Sequence, residues 1–467
     1  MSAVPTEGLR RVWRSCVAVM RGERGVLRWI AAVVVVYALA QIVFLLSTVA
    51  AAAVPNTAVV AALAQGASQH LWNAIDYPAD GIGHVTQRFS FAGVSDAFTQ
   101  CIALTMQTPG GDGAWESAMA GRHLGTCSLA LPSITEMAAG GSASEVYTYN
   151  RYWNGFTLLT RPALALGGVG AVRVSVAVLL IVAVVVAAIV LSRRVSPLAP
   201  LVLVPVFLST NIATSTMDAF PHALSFAVIL FGMAAGARFA TEPLPSLVIV
   251  AALSASVFNF VDFLLNPPVA WALFVFAAVA ARWRRGDRPR PLLAAAGAAG
   301  LGWIAGYAAT WVTRWVLAVL TFGDSAWQEI LSVISTRLQG QNPDLVTPGP
   351  FQPTLRNTLF WLGTIPTSRF VAVAALVVVI VSLVIVLVQR RWRALGMMAV
   401  LAAPAVLVPV WLELLNNHSQ IHVFFVYRAI PVAVGIVAIS ALLVAVGRRA
   451  TPTVSPGSTI RIEGARA

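Results

Sequence analysis

The chain has 467 residues, of which 58% are hydrophobic and only 10% are charged. Its mean hydropathy is +0.81, whereas soluble globular proteins carry about 25% charged residues. A chain this apolar cannot cover itself with polar surface in water. The composition therefore excludes a soluble enzyme, a disordered protein, a collagen and a coiled coil, and it predicts an all-α polytopic membrane protein.

Ten segments are apolar enough to be transmembrane helices, each of which needs about 20 such residues to cross the hydrocarbon core. The third, fourth and sixth segments are shorter than this, so we expect them to be tilted or broken. The first follows the basic segment 1–28 and is long enough for an uncleaved anchor. The predicted spans are 29–54, 171–191, 197–210, 222–237, 244–261, 268–281, 292–319, 370–388, 394–412 and 423–446.

The charges separate when alternate connections are assigned to opposite sides of the membrane. All 31 basic residues are Arg, and the formal net charge is +13. With both termini cytoplasmic, the cytoplasmic segments hold 21 of the 31 Arg but only five of the 18 acidic residues. The positive-inside rule explains this bias, so the basic composition does not indicate a nucleic-acid partner.

Two long connections are predicted on the outer side, loop one at 55–170 and a second loop at 320–369. The stretch 56–72 has the pattern of an amphipathic helix lying on the membrane, and we expect further short helices in both loops. The spans of 171–319 lie between the two loops, those of 370–446 follow them, and residues 447–467 form a predicted flexible cytoplasmic tail.

Loop one contains two of the three Cys residues, Cys101 and Cys127. An oxidising outer compartment favours a disulfide between them that would close the loop. The alternative is two small buried residues that never meet, because the sequence does not give the distance between them.

Polar and ionisable side chains gather at the outer ends of the predicted helices, where they would line a cavity at the outer leaflet. Such residues at membrane depth are functional candidates by default. The candidates are Asp76, Asp80, Asp96, Arg151, Tyr152, Trp153, Asp218, His222, Asn259, Asp262, Asn416, His418, His422 and Arg428.

Each candidate also has a structural interpretation. Asp218 and Asp262 are suited to cap helices, the acids of loop one are also suited to a solvated surface, and the segment around Tyr152 is suited to interfacial anchoring. His418 and His422 are four residues apart, a spacing that can bind metal, but no HExxH pattern accompanies them and we predict no metal site. Arg428 lies about six residues inside the last span, where a guanidinium needs a carboxylate or a lipid phosphate.

The topology resembles that of the GT-C class of integral-membrane glycosyltransferases, which combine many spans with a long first outer loop that carries acids. The strings YNRYWNG (149–155), NFVDFL (259–264) and NHSQIHVFFVYR (417–428) are also similar to strings in a broad group of bacterial multi-spanning proteins. The chain departs from the class in two respects. Its loop-one acids are spaced rather than paired, and the sequence predicts no C-terminal soluble domain.

The resemblance implies a glycosyltransferase of the bacterial plasma membrane that acts on its outer face. The donor would be a sugar on a polyprenyl phosphate and the acceptor an envelope glycan or lipid. Asp96, Asp80 or Asp76 would act as general base. Arg428, His418, His422 and Arg151 would stabilise the leaving phosphate, and the remaining polar candidates would line the cavity. A divalent metal is compatible with this scheme and is not required by it.

Three alternatives remain open at the level of sequence. The first is a transporter or flippase, against which the confinement of the acids and His to one side argues. The second is an acyltransferase with His418 or His222 as base, and the third is a non-catalytic partner in an envelope machine. The sequence has no Walker A motif, GxGxxG turn or GxSxG elbow, which argues against ATP-driven transport by this chain alone.

Overall fold

The computed structural model describes residues 26–72, 88–89, 93–94, 97–110, 113–125, 127–143, 145–339 and 346–447. These residues form helices and two short antiparallel ladders, β1 (Arg88–Phe89) with β2 (Gly93–Val94) and β3 (His123–Leu124) with β4 (Val146–Tyr147). The helices of the first half are α1 (Val26–Ala52), α2 (Asn56–Ser68), α3 (Ala97–Thr105), α4 (Ala114–Ala120), α5 (Cys127–Ala138), α6 (Thr157–Arg194), α7 (Val204–Leu208), α8 (Ser215–Asp218) and α9 (Phe220–Phe239). Those of the second half are α10 (Leu244–Val261), α11 (Pro267–Arg284), α12 (Pro289–Phe322), α13 (Asp324–Gln339), α14 (Gln352–Thr364), α15 (Ser368–Val388), α16 (Trp392–Ala402), α17 (Leu407–Leu414), α18 (Asn416–Ile421), α19 (Val423–Val426) and α20 (Ala429–Val446).

Eight helical segments of the described chain are long and apolar enough to cross a membrane, which confirms an all-α polytopic membrane protein. They correspond to eight of the ten predicted spans. Their bounds are Ile30–Ala52, Thr157–Arg194, Phe220–Phe239, Leu244–Val261, Pro289–Phe322, Ser368–Val388, Trp392–Leu414 and Val423–Val446.

The predicted span 197–210 is a short broken helix. Pro200 and Pro205 divide it into a 3₁₀ turn and α7, and its apolar helical part covers only Ala199–Leu208. Proline removes a backbone donor and interrupts the α-helical ladder. Ser209 still accepts a hydrogen bond from the Trp361 indole in α14 at 3.1 Å, so the broken segment carries the chain from the end of α6 to the level of the second loop.

The predicted span 268–281 lies within α11. This helix is as long as the shortest of the eight membrane-spanning segments but is less apolar than they are. Its 18 residues include two Pro, two Trp and two Arg. From Pro267 to Ala281 all but one of its residues are buried, so neighbouring helices shield α11. Close approach around it uses small residues. A Cβ on Gly236 of α9 would lie 2.8 Å from the Phe274 carbonyl oxygen of α11.

Helix α6 is longer than predicted, because it begins inside predicted loop one. It contains a kink at Gly167 and Gly168, and the φ of Gly168 is +69°. The predicted amphipathic segment 56–72 contains α2, and the second predicted loop contains α13 and α14.

Cys101 of α3 is disulfide-bonded. The side chain of Cys127 lies outside the described residues, so the pairing of the two stays a prediction.

The helix ends define two ends of the molecule. The basic end holds the last residues of α6, α9, α11 and α20, and the polar end holds the last residues of α1 and α10 and the first residues of α6 and α11. Arg side chains from neighbouring elements cap helix C-termini at both ends. Arg282 donates to the Ala240 and Glu242 carbonyls beyond α9, and Arg391 donates to the Val444 and Ala445 carbonyls of α20. These caps satisfy carbonyls that a helix leaves unpaired.

Candidate functional site

The segment before α6 is fixed to the bundle by its tryptophan. The Trp153 indole donates to the Thr310 carbonyl of α12 at 2.9 Å, and its ring packs on Phe44 and Phe260. The Gly155 amide donates to the Phe260 carbonyl at 2.8 Å. Trp153 is completely buried, so it anchors the segment and does not line a cavity as predicted.

This anchor places Arg151 against α13. Arg151 forms an ion pair with Glu329 at 2.9 Å, and Asn150 donates to the second carboxylate oxygen at 3.1 Å. The guanidinium also lies 4.3 Å from the centre of the Tyr149 ring, a cation–π contact. Because Glu329 neutralises Arg151, the structure does not leave this arginine as an uncompensated phosphate ligand.

The next residue, Tyr152, contacts an arginine that has no acidic partner among the described residues. Arg337 of α13 donates to the Tyr152 hydroxyl and to His418 Nδ1, both at 2.7 Å. Neither partner carries a negative charge, and Arg337 makes no ion pair with a described residue. Arg337 is half-buried, so its positive charge is only partly solvated.

His418 of α18 is held as a neutral imidazole with a defined tautomer. Its Nε2 lies 3.2 Å from the Leu264 carbonyl, which can only accept a proton. Nε2 therefore donates and Nδ1 accepts from Arg337. Burial, the adjacent His422 and Arg337 all lower the pKa of His418 well below its usual value, which agrees with this arrangement.

Asp262 shapes the turn that presents the Leu264 carbonyl. Its Oδ1 accepts from Ser225 Oγ at 2.7 Å, and its Oδ2 accepts from the Leu265 amide at 2.8 Å. Leu264 has a φ of +75°, which is strained for a residue with a branched side chain. Burial raises the pKa of Asp262 to about 7 in spite of these hydrogen bonds. Asp262 therefore positions a backbone segment and supports His418 indirectly.

A second arginine that contacts no described carboxylate, Arg428, is more deeply buried than Arg337. Arg428 is 1% exposed, and its Nε and Nη2 both donate to Asn211 Oδ1, at 2.9 and 2.6 Å. Its Nη1 lies 3.4 Å from the His222 ring nitrogens and 3.3 Å from the Phe425 carbonyl. Among the described residues Arg428 contacts no carboxylate. A buried guanidinium with neutral partners is a strong attractor for an anion.

The two arginines are linked through one aromatic side chain. The Phe425 ring lies 5.5 Å from His222, 6.0 Å from His418 and 5.2 Å from His422, and the His418 and His422 rings are 4.5 Å apart. We call the set consisting of Arg337, His418, His422, Phe425, His222 and Arg428 the arginine–histidine network. It combines two guanidiniums with three imidazoles, and its positive charge is not balanced by any described carboxylate.

The other predicted site residues have more ordinary positions. Asn259 donates to the Tyr307 carbonyl at 3.4 Å and links α10 to α12, and Asn416 Oδ1 accepts from Gln420 at 2.8 Å. Asp76, Asp80 and Asp96 lie outside the described residues, as does the side chain of Asp218. Within the described ranges no three His, Cys, Asp or Glu side chains are grouped to hold a metal ion.

Sequence reasoning missed Arg337, whose helix lies in the middle of the second predicted loop. The available signal was the charge bias itself. Ten Arg lie on the side that the positive-inside rule leaves poor in Arg, and eight of them are buried or half-buried, including Arg161, Arg314, Arg337 and Arg428. An arginine on the side that is poor in Arg is therefore a functional candidate in the same way as an acidic residue within the membrane.

No family model, curated protein or solved structure matches this chain.

Proposed function

We propose that this chain is a membrane glycosyltransferase that moves a sugar from a polyprenyl-phosphate donor to an acceptor of the bacterial cell envelope. The observation that carries the proposal is the arginine–histidine network, in which two guanidiniums that no described carboxylate contacts lie beside three imidazoles. A phosphate diester that leaves as a phosphate monoester gains negative charge during the reaction. Donors fixed in advance around that position stabilise the developing charge.

The network matches the chemistry of the donor in two ways. Arg337 is half-buried and lies near the polar end, while Arg428 is buried at membrane depth. A polyprenyl phosphate has the same polarity, with a charged group at the interface and an apolar chain below it. His418 is held neutral, so it orients Arg337 beside the proposed phosphate position without adding a fixed charge.

The proposed reaction has balanced bonds and protons. The acceptor hydroxyl oxygen attacks the anomeric carbon, the bond from that carbon to the phosphate oxygen breaks, and polyprenyl phosphate leaves with the electron pair. The hydroxyl proton passes to a carboxylate of loop one. We retain Asp96, Asp80 and Asp76 for this role on the resemblance alone. A divalent metal beside the phosphate is compatible with the reaction, and no step depends on it.

The first test measures binding of polyprenyl phosphate, the common leaving group, so that neither sugar nor acceptor needs to be known. We expect Arg337→Gln to weaken binding roughly 10- to 100-fold, because a hydrogen bond to a charged group contributes about 1.5–3 kcal/mol. The matched control is Arg369→Gln. Arg369 is an exposed arginine at the same end that donates to the Leu362 carbonyl, and its replacement should leave binding unchanged.

A second test separates catalysis from transport. Asp96→Asn and Asp80→Asn should retain binding of polyprenyl phosphate, and at least one of them should lose transfer from polyprenyl-phosphate glucose or mannose. Equal binding by wild type and Arg337→Gln would contradict the donor site. Substrate-dependent labelling of single cysteines from both sides of the membrane, without sugar transfer, would favour the transporter instead.

A further inference from the structure

A well-defined cleft of the described chain lies at the basic end, opposite the arginine–histidine network. Its volume is about 840 Å³. Two connections form its sides, the turn after α11 at 283–286 and the turn before α16 at 390–394, and the last residues of α20 contribute Val444 and Gly447. Five guanidiniums and two indoles border it: Arg284, Arg285, Arg390, Arg391, Arg393, Trp283 and Trp392.

Two arginines hold the sides of this cleft in place. Arg391 donates to the carbonyls of Val444, Ala445 and Gly447, which ties the second turn to the end of α20. Arg282, just outside the cleft, donates to the Ala240 and Glu242 carbonyls and lies 3.4 Å from Asp287. Backbone carbonyls and one carboxylate thus occupy these two guanidiniums, whose function is structural.

The other four guanidiniums remain free to bind an anion. The side chains of Arg284, Arg285, Arg390 and Arg393 are exposed, and none forms a hydrogen bond or ion pair with a residue that the structure describes. The one described carboxylate beside the first turn, Asp287, is engaged by Arg282. Four like charges around one cleft repel one another, and a bound anion removes that repulsion.

Position and aromatic content identify the kind of anion. The cleft lies where α11, α15 and α20 end and α16 begins, which is the level of the lipid headgroups for helices that cross a membrane. Trp283 packs at the end of α20, where a Cβ on Gly447 would lie 3.2 Å from its ring, and Trp392 is 64% exposed. Indoles prefer this interfacial level, and arginine forks bind phosphate oxygens in pairs.

We propose that this cleft binds the phosphate headgroup of an anionic membrane lipid at the face that the charge bias predicts to be cytoplasmic. The site is separate from the proposed donor site and does not depend on it. Its selectivity is for a lipid with a net negative phosphate, because a zwitterionic headgroup would bring a second positive charge among the four guanidiniums.

The test uses the purified full-length chain and native mass spectrometry with added dioleoyl-phosphatidylglycerol or dioleoyl-phosphatidylcholine. We expect one phosphatidylglycerol to be retained in preference to phosphatidylcholine, and Arg284→Gln/Arg393→Gln to weaken its binding roughly 10- to 30-fold. The matched control, Arg193→Gln/Arg194→Gln, removes two charges from the end of α6 at the same face but outside the cleft. It should retain the lipid.

Three outcomes would overturn the proposal. Equal losses in the two double variants would mean that the basic face attracts anionic lipid without a site. Equal retention in both would mean that the cleft is not involved. Displacement of bound lipid by millimolar inorganic phosphate would assign the cleft to a soluble anion. Arg284→Lys/Arg393→Lys keeps both positive charges but cannot bind phosphate oxygens in pairs, so we expect an intermediate affinity. Lipid binding by this variant would also verify that a chain substituted at these two positions folds.

Discussion

Two pairs of arginines at the polar end have different surroundings, although Arg428 is as deeply buried as Arg161 and Arg314. Arg161 donates to the carbonyls of Ala51, Val54 and Gln107 at 3.0 Å each, and Arg314 donates to the Met119 carbonyl at 2.6 Å. These guanidiniums donate to backbone carbonyls at the C-terminal ends of helices. Arg337 and Arg428 instead contact a phenol, an amide and imidazoles, with one backbone carbonyl, that of Phe425, beside Arg428, and these partners leave the positive charge available. Burial alone therefore does not identify a binding site, and the chemical nature of the groups that each guanidinium contacts is the better criterion.

The largest expected effect follows from removing an arginine that caps helix ends. Arg161→Gln would leave the carbonyls after α1 and α3 without their donor, and buried acceptors left unpaired cost about 1–3 kcal/mol each. We expect a loss of roughly 3 kcal/mol or more in the free energy of unfolding, measured by thermal denaturation in detergent. Arg122→Gln is the control, because Arg122 forms a partly exposed pair with Glu116 and donates to the exposed Gly110 carbonyl, and such surface contacts contribute little.

Polyprenyl phosphate should raise the melting temperature of Arg161→Gln by about as much as it raises that of the wild type, because mass action stabilises any folded chain whose binding site is intact. Arg337→Gln should show the converse behaviour, with nearly normal thermal stability and weakened binding. An unstable Arg337→Gln with normal binding would place Arg337 in the same class as Arg161 and remove the basis of the comparison.

Asp262 permits a test through pH, because burial raises its pKa from the ordinary 3.8 to about 7. The folded chain holds this proton more tightly than the unfolded chain. The resulting stabilisation is fully present below about pH 4 and is lost as the pH rises through about 7. The melting temperature of the wild type should therefore fall between pH 5 and pH 8.

The control for this pH dependence is Asp262→Asn, which does not titrate. The difference in melting temperature between the two chains should change by roughly 3–6 °C across that range. Parallel curves would mean that Asp262 does not titrate there. A parallel loss of polyprenyl phosphate binding in Asp262→Asn would support its role in positioning Leu264 and His418.

The sequence predicted the membrane class and the helices whose signal is continuous apolarity. It failed where Pro200 and Pro205 break a helix and where α11 is shielded by neighbours rather than by its own composition. For the site, it singled out Arg428, His418 and His422 from their depth and spacing. It could not show that Glu329 neutralises Arg151, or that Arg337 lies against His418, because both contacts join residues more than 80 positions apart.

The finest test of the comparison removes one oxygen atom. Tyr152→Phe deletes the hydroxyl that accepts from Arg337 and keeps the ring that packs edge-on against Trp311, with centroids 5.6 Å apart. A single hydrogen bond contributes about 1 kcal/mol, so we expect polyprenyl phosphate to bind roughly fivefold more weakly, with little change in thermal stability. Tyr147→Phe is the control, because Tyr147 is 52% exposed on β4. A loss as large as that of Arg337→Gln would mean that the Tyr152 hydroxyl itself contacts the phosphate, and an unchanged affinity would mean that His418 alone orients Arg337.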